Sequence, residues 1–320
     1  PFSVNYFSSS SGIPVSSWVF PQDREAGFFD FGMAALPLDF FESYIGTYPF
    51  SKLANVQSKT VYGGMENAGC IFYHENAITG KRDQEQLIAH EIAHQWFGDA
   101  VTEGDWHHIW LSEGFATYLA DLYLEERFGT DSMFSSLVEE REQVIRFTKM
   151  AFFPVIDTTR PVSVGLLNPN TYEKAAWFLH MLRSETGDSI FRECIRSFYR
   201  NFRYGNVLTE DFLSVVDSVS GKSYRSFFDQ WLRIAGHPII SASWEQSGPE
   251  ILLRIRQCQV HHVYSFPLDL QVVSGGVTEE RTVYVDRAVQ DFRIPFSREK
   301  ADIRLDPGCR LLFEYCPEDQ

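Results

Sequence analysis

The chain has 320 residues, 44% hydrophobic and 22% charged, enough for about two domains and too apolar and aromatic (15%) to stay disordered. Its 28 Lys and Arg against 43 Asp and Glu give a net charge of −15, and no basic run offsets it, so a nucleic-acid partner is disfavoured. No apolar run reaches the roughly 18 uncharged residues of a membrane span.

The cysteines, Cys70, Cys194, Cys258, Cys309 and Cys316, are scattered without C-x-x-C spacing. Neither a disulfide framework nor a thiolate zinc site is expected. Cys309 and Cys316 are close enough in sequence to pair, but proximity is the whole argument for it. The chain opens at Pro1 rather than Met and shows no secretory signal. It reads as a processed or trimmed piece of a soluble protein, with nothing to choose between a cytoplasmic and a periplasmic or secreted location.

Residues 1 to about 80 read as mixed strands and loops. Phe2–Phe7 and Ser17–Phe20 are short strand-like runs, separated by the linker-like Ser8–Gly12. Phe28 to Gly46 has helical apolar spacing, which Pro37 should kink or split. From residue 83 to about 235 helices dominate. Asp83 is a plausible N-cap with Gln86 at the capping-box position, opening a helix through Leu87, Ile88, Ile92 and His94 that stops near Gly98. A second helix should run from about His107 to Phe128, and further ones start near Asp131, Thr171, Asp188, Thr209 and Lys222. Past Gly236-His237-Pro238 the texture changes to short alternating strands: Ile251–Arg256, Leu268–Val273, Arg281–Val285 and Phe292–Ile294. That is the pattern of a small β-sandwich.

The chemistry sits in the helical region, at His90-Glu91-Ile92-Ala93-His94. Residues four apart share one helix face, so the two imidazoles can bind one zinc ion with Glu91 beside them as general base. With nine histidines in the chain, roughly 0.03 such matches arise by chance, so one match is suggestive and not decisive. Two surface histidines on a solvated face remain the alternative. A metzincin would need Gly at position 97 and His at 100; Phe97 and Ala100 exclude that class. Glu113 follows His94 after 18 intervening residues, on the second helix, and its neighbours one turn away include Ile109, Trp110 and Ala116. Its carboxylate therefore points toward the core, where it needs a metal or a partner such as Arg. His, His and Glu with an open fourth position is the catalytic zinc arrangement.

This constellation resembles the zinc site of the M1 (aminopeptidase N-like, gluzincin) metallopeptidases. Gln95–Gly98, Val101-Thr102 and Trp110–Phe115 extend the resemblance. So do Gly63-Gly64-Met65-Glu66-Asn67, similar to the family's Gly-x-Met-Glu-Asn exopeptidase signature, Tyr172-Glu173-Lys174, similar to its catalytic tyrosine segment, and Trp231–Pro238. Three positions depart from the family pattern: Gly64 where Ala is usual, Asp99 where Asn is common, and Ala175 where Gly is usual. None removes a reacting group. The resemblance implies an α+β multidomain protein. A thermolysin-like, largely helical catalytic domain would occupy residues 1–237 and the β-sandwich 238–320. Members carry a further N-terminal β-domain, most of which this chain is expected to lack, and no residue is assigned the role of the additional Gln or Glu that it gives to the substrate amine.

The implied activity is zinc-dependent removal of N-terminal residues from peptides with a free N-terminus. One zinc ion would be held by His90, His94 and Glu113, with Glu91 as general base and Tyr172 as oxyanion donor. Without the resemblance, Tyr172 reads more readily as a core tyrosine at a helix start. Gly63–Asn67 would form a glycine-rich strand edge that pairs with the peptide, and Glu66 would hold its α-ammonium. Three rival readings compete with this one. The leukotriene hydrolase branch carries Tyr and Asp where this chain has Leu167 and Val164, which argues against an epoxide hydrolase. A non-catalytic peptide-binding protein conflicts with retention of Glu91 and all three ligands. A zinc endopeptidase stays open. His107-His108 and His261-His262 read as packing or solvent-facing residues.

Overall fold

Ser3–Ser8 (β1) and Pro14–Val19 (β2) pair antiparallel in the computed structural model, which describes residues 1–296 and 301–317. The serine run between them is a tight turn rather than a linker. Gly12 closes it at φ +88°, and the Asp39 carboxylate accepts from both the N–H and the hydroxyl of Ser10. The helical stretch that follows is split into Arg24–Phe31 (α1) and Ala35–Tyr44 (α2) by a 3-10 turn at Gly32–Ala34. Pro37 does not cause that break. It is the third residue of α2, in a first turn whose N–H groups have no intrahelical partner, so its missing donor costs nothing.

Leu53–Ser58 (β3), Gly64–Met65 (β4) and Cys70–His74 (β5) complete a five-stranded sheet in the order β1-β2-β3-β5-β4. β3 runs parallel to both β2 and β5, and β4 lies antiparallel at the edge. Glu85–Ala93 (α3) starts one residue later than an Asp83 cap suggests. Gln84 flanks it without a side-chain cap, because the Asp83 carboxylate is taken by the Thr79 hydroxyl, 2.7 Å away. Val101–Glu103 (β6) and a 3-10 turn at Trp106–His108 lead into Trp110–Phe128 (α4). From Trp110 to Leu124 almost every residue of α4 is buried, which marks it as the central helix.

Thr130–Met150 (α5), Ala175–Thr186 (α6), Asp188–Phe202 (α7), Gly205–Val207 (β7), Thr209–Ser220 (α8) and Arg225–Arg233 (α9) surround α4. Gly114 allows one of these helices to come close. A Cβ there would lie 2.4 Å from Ala175 Cβ, so α4 meets the start of α6 almost backbone to backbone.

Lys174 stands just before α6 with its side chain wholly buried and its ammonium donating to the Ile234 carbonyl at 3.2 Å. Burial pulls its pKa from 10.5 down to about 7. Between these values the unfolded chain binds more protons than the folded one, so stability rises with pH, by at most about 1.4 kcal/mol per pH unit. The stability difference between Lys174→Met and wild type, followed by denaturant melts, should therefore shrink by a few kcal/mol as pH is raised from 7 to 10.5. A difference independent of pH would show that Lys174 ionises normally.

From Ile239 onward the chain is strand: Ile239–Ser247 (β8), Glu250–Gln257 (β9), Phe266–Ser274 (β10), Val277–Val285 (β11), Val289–Pro295 (β12), Asp302–Leu305 (β13) and Glu314–Tyr315 (β14). They form two sheets, ordered β12-β9-β8-β14 and β11-β10-β13. Alternate residues such as Leu253, Ile255, Leu268, Leu270 and Val272 are fully buried, which is the period-2 pattern of a half-covered strand. Arg141 of α5 ties this region to the helices through Asp306 and the Leu311 carbonyl, and His180 of α6 through the Cys309 carbonyl.

The cysteine expectation needs correction. Cys258 is bonded to Cys316, with Cα atoms 6.3 Å apart, while Cys309 is free and buried beside Arg141. Strand register explains it. β9 and β14 both flank β8, so the residues just past their ends bond to neighbouring β8 carbonyls: Cys258 N–H to Ile239 and Cys316 N–H to Ile240. Sequence distance carries no such information.

Candidate metal centre

The two imidazoles do share a face of α3. His90 lies in its last turn and His94 just past its end, with their Nε2 atoms 3.0 Å apart. Glu113, in the first turn of α4, brings one carboxylate oxygen to 3.2 Å from His94 Nε2 and 3.6 Å from His90 Nε2. The donor atoms of all three lie within 4.8 Å of one another, a set found nowhere else among the described residues.

Their surroundings fit a cation. His94 Nδ1 lies 3.2 Å from the Phe97 carbonyl and 3.0 Å from Ser112 Oγ. A carbonyl only accepts, so it holds the proton on Nδ1 and leaves the Nε2 lone pair facing Glu113 and His90. Three donor atoms then converge in a buried pocket whose lining holds no Lys or Arg among the described residues. Electrostatics says the same. Burial pulls the His90 pKa down, and it would pull His94 down too, but the adjacent Glu113 carboxylate outweighs it there and raises His94 to about 10. Burial opposes ionisation of Glu113, yet His94 and His90 together hold its carboxyl well below the usual range. The site thus traps one positive charge, as a proton if nothing else is present. A zinc ion fits this donor set.

Glu91 is 5% exposed, and its Oε2 has no hydrogen-bond partner. Burial pushes its pKa up to about 8. Directly against it lies the strand edge. A Cβ on Gly64 would fall 2.1 Å from Glu91 Cδ, so glycine at this position and the present Glu91 rotamer require each other. Gly63 meets no such demand, its nearest neighbour being Leu87 at 3.7 Å. Met65 pairs with Phe72 on β5, Glu66 is half-buried, and Asn67 is exposed with its carbonyl accepting from the Cys70 N–H.

Tyr172 joins the same cleft. It sits on a single π-helical turn, Asn170–Lys174, a rare local geometry that recurs at functional sites. The turn is pinned by its buried flanks: Asn170 donates to the Phe153 carbonyl and Thr171 to the Leu166 carbonyl. The Tyr172 ring stacks on His90 with centroids 6.2 Å apart. Burial, then the neighbouring Glu113 carboxylate, push its phenol pKa well up, so it stays a proton donor. A cleft of about 830 Å³ joins the donor set, Glu91, Gly63–Glu66 and Tyr172.

The family model for the peptidase family M1 domain matches residues 29–231. The chain belongs to peptidase family M1. M1 is a family of metallopeptidases, and the match spans every residue of the donor set. Aminopeptidase M1 of Arabidopsis thaliana is 28% identical over 263 residues, which are 76% of this chain and 29% of the relative. Aminopeptidase M1-B of Oryza sativa is 31% identical over 249 residues, 73% of this chain and 28% of the relative. The mitochondrial aminopeptidase 2 of Saccharomyces cerevisiae is 30% identical over 261 residues, 75% of this chain and 27% of the relative. Aminopeptidase A of Legionella pneumophila, solved with aspartic acid, shares the fold at TM-score 0.81 and 20% identity, covering 99% of this chain and 38% of that one. The M1 chain described here thus spans about three-tenths of the length of these curated relatives.

Sequence reasoning missed the residues of this M1 site that hold others in place. Gln95 is fully buried. Its amide donates to the Glu66 carbonyl (2.7 Å) and to Asp99, and its oxygen accepts from the Gly69 N–H and the Tyr48 hydroxyl. It therefore fastens the Gly63–Asn67 edge to the end of α3. Ser112 bonds His94, and Gly98 at φ +127° lies so near that a Cβ would sit 2.6 Å from the Ser112 hydroxyl. The only signal available was their place in the motif's flanking text. His107 and His108 stay out of the donor set: His107 bonds Asp105 and the Arg160 carbonyl, and His108 bonds Thr209. No helix among the described residues is long and apolar enough to cross a membrane.

Proposed function

We propose that this protein is a zinc-dependent aminopeptidase that hydrolyses the first peptide bond of peptides with a free N-terminus. Residues 1–237 would form a thermolysin-like catalytic domain and 238–320 a β-sandwich packed beside it. The carrying observation is the convergence of His90, His94 and Glu113 beside a buried, unpartnered Glu91 in one cleft. The M1 relatives named as aminopeptidases favour an N-terminal cut over an internal one.

One zinc ion held by His90, His94 and Glu113 would supply Lewis acidity to the scissile carbonyl and the attacking water. Glu91 takes the proton of that water and passes it to the leaving amine. Tyr172 O–H donates to the oxyanion. The Gly63–Asn67 edge pairs with the substrate backbone, Gly64 allowing it to pass close to Glu91. Glu66 binds the α-ammonium and so makes the site count from the N-terminus.

Glu66→Ala tests this reading. A charge-assisted contact of roughly 1.5–3 kcal/mol is lost, so kcat/KM for aminoacyl-p-nitroanilides should fall about 10- to 150-fold. N-acetylated peptides never make the contact, and their slow cleavage should hardly change. Equal losses on both substrate types would move the endopeptidase reading ahead.

A further inference from the structure

We propose that Gln95 is the positioning residue behind exopeptidase selectivity: its side-chain amide sets where the Glu66 carboxylate stands relative to the donor set. The proposal rests on the aminopeptidase reading and adds to it the residue that keeps the cut at one residue from the N-terminus.

The strand edge alone does not fix Glu66. β4 is two residues long, and its ladder to β5 pairs Gly64 with Tyr73 and Met65 with Phe72. Glu66 is the first residue past that ladder. Gly63 and Gly64 before it, and Gly69 at φ +67° after it, give this stretch a permissive backbone. A tight turn is usually closed by a bond from the carbonyl of one residue to the N–H three residues on. Here the Glu66 carbonyl and the Gly69 N–H both bond the Gln95 amide instead, each at 2.7 Å.

That amide has one admissible orientation. A carbonyl only accepts and a backbone N–H only donates, so Nε2 must face Glu66 and Oε1 must face Gly69. The second N–H goes to Asp99 Oδ2 at 2.8 Å. The second lone pair takes the Tyr48 hydroxyl at 3.1 Å, which also lies 3.1 Å from the Lys52 carbonyl. All four bonding positions of the amide are then used, in a side chain with no exposure.

The other end of this tether is the donor set. Gln95 follows His94 directly, and its own N–H bonds the Ile92 carbonyl of α3 at 3.1 Å. The Asp99 N–H bonds the His94 carbonyl at 3.0 Å, so the residue that orients the Gln95 amide is fixed to His94 as well. The backbone of Glu66 thus stands one side chain's length from the backbone beside His94. An α-ammonium held by Glu66 then lies at one set distance from the bond to be cut, and a misplacement of about 1 Å is enough to lose a large part of the rate. Gln95 is wholly buried and acts through Glu66.

The test is a double-mutant cycle on the zinc-loaded protein, read as the ratio of kcat/KM for leucyl-p-nitroanilide to that for its N-acetyl derivative. Gln95→Met keeps the length of the side chain and removes all four bonds. It should lower the ratio at least about fivefold through the free-amine substrate, and less than about twofold further once Glu66 is already Ala. An unchanged ratio, equal losses on both substrates, or the same fall in the Glu66→Ala background would overturn the positioning role and leave the aminopeptidase reading standing. Should Gln95→Met fail to fold, Tyr48→Phe takes one bond from the same amide. It should lower the ratio at least about twofold with the same dependence on Glu66, and no change would overturn the role. Calorimetry of leucinamide and N-acetyl-leucinamide on the same proteins reads the ammonium contact without turnover. A preference for leucinamide that Gln95→Met abolishes, in a wild type that cleaves neither nitroanilide, would sink the peptidase reading and keep the positioning role. A wild type with no preference in either measurement would end both.

Discussion

Replacing Glu91 with Gln should abolish peptide hydrolysis while the protein keeps its fold and its metal. The amide matches the carboxylate in shape but cannot accept a proton, so the loss isolates proton transfer from packing. Positioned acid–base catalysis contributes about 10²–10⁴-fold, and kcat should fall by at least that range. The surroundings of Glu91 make the expectation sharp. Its side chain packs directly against Gly64, where a Cβ would fall 2.1 Å from Glu91 Cδ. The change also removes a buried carboxyl whose pKa burial lifts to about 8, so the variant should be no less stable than wild type near neutral pH. Steady-state assays with a thermal melt and metal analysis on the same sample check all three parts. Substantial turnover by the variant would remove Glu91 from the mechanism.

Tyr172→Phe should lower kcat by about 10²–10³-fold with little change in KM, because its bond to the oxyanion strengthens only as the transition state forms. Phe preserves the stacking on His90, and the π-helical turn stays pinned by Asn170 and Thr171. The hydroxyl is then the only group lost. An unchanged kcat would return Tyr172 to a packing role, and a raised KM at constant kcat would make it a substrate-binding residue instead.

Much of the site was legible because its chemistry is local in sequence. His90, Glu91 and His94 share one short helix, and the apolar neighbours of Glu113 gave its inward direction without any long-range information. What holds these residues in place was not legible. Gln95 bonds Glu66, Gly69, Asp99 and Tyr48 across gaps that no periodicity records. Gly114 reads as an unremarkable helical glycine until Ala175 is found against it. The cysteines fail for the same reason. Cys258 and Cys316 meet only because β9 and β14 flank β8, a fact of register rather than of spacing. Local errors had local causes. Asp83 has a capping residue's chemistry, but Thr79 takes its carboxylate, and Pro37 is a helix breaker placed where a helix tolerates it.

The central claim is that one zinc ion sits between α3 and α4, and anomalous diffraction at the zinc edge from crystals grown with stoichiometric zinc tests it most directly. The account predicts a single strong peak about 2.0–2.2 Å from His90 Nε2, His94 Nε2 and a Glu113 carboxylate oxygen, lost from crystals of His94→Ala. A peak elsewhere, or one that persists at full height in that variant, would contradict it.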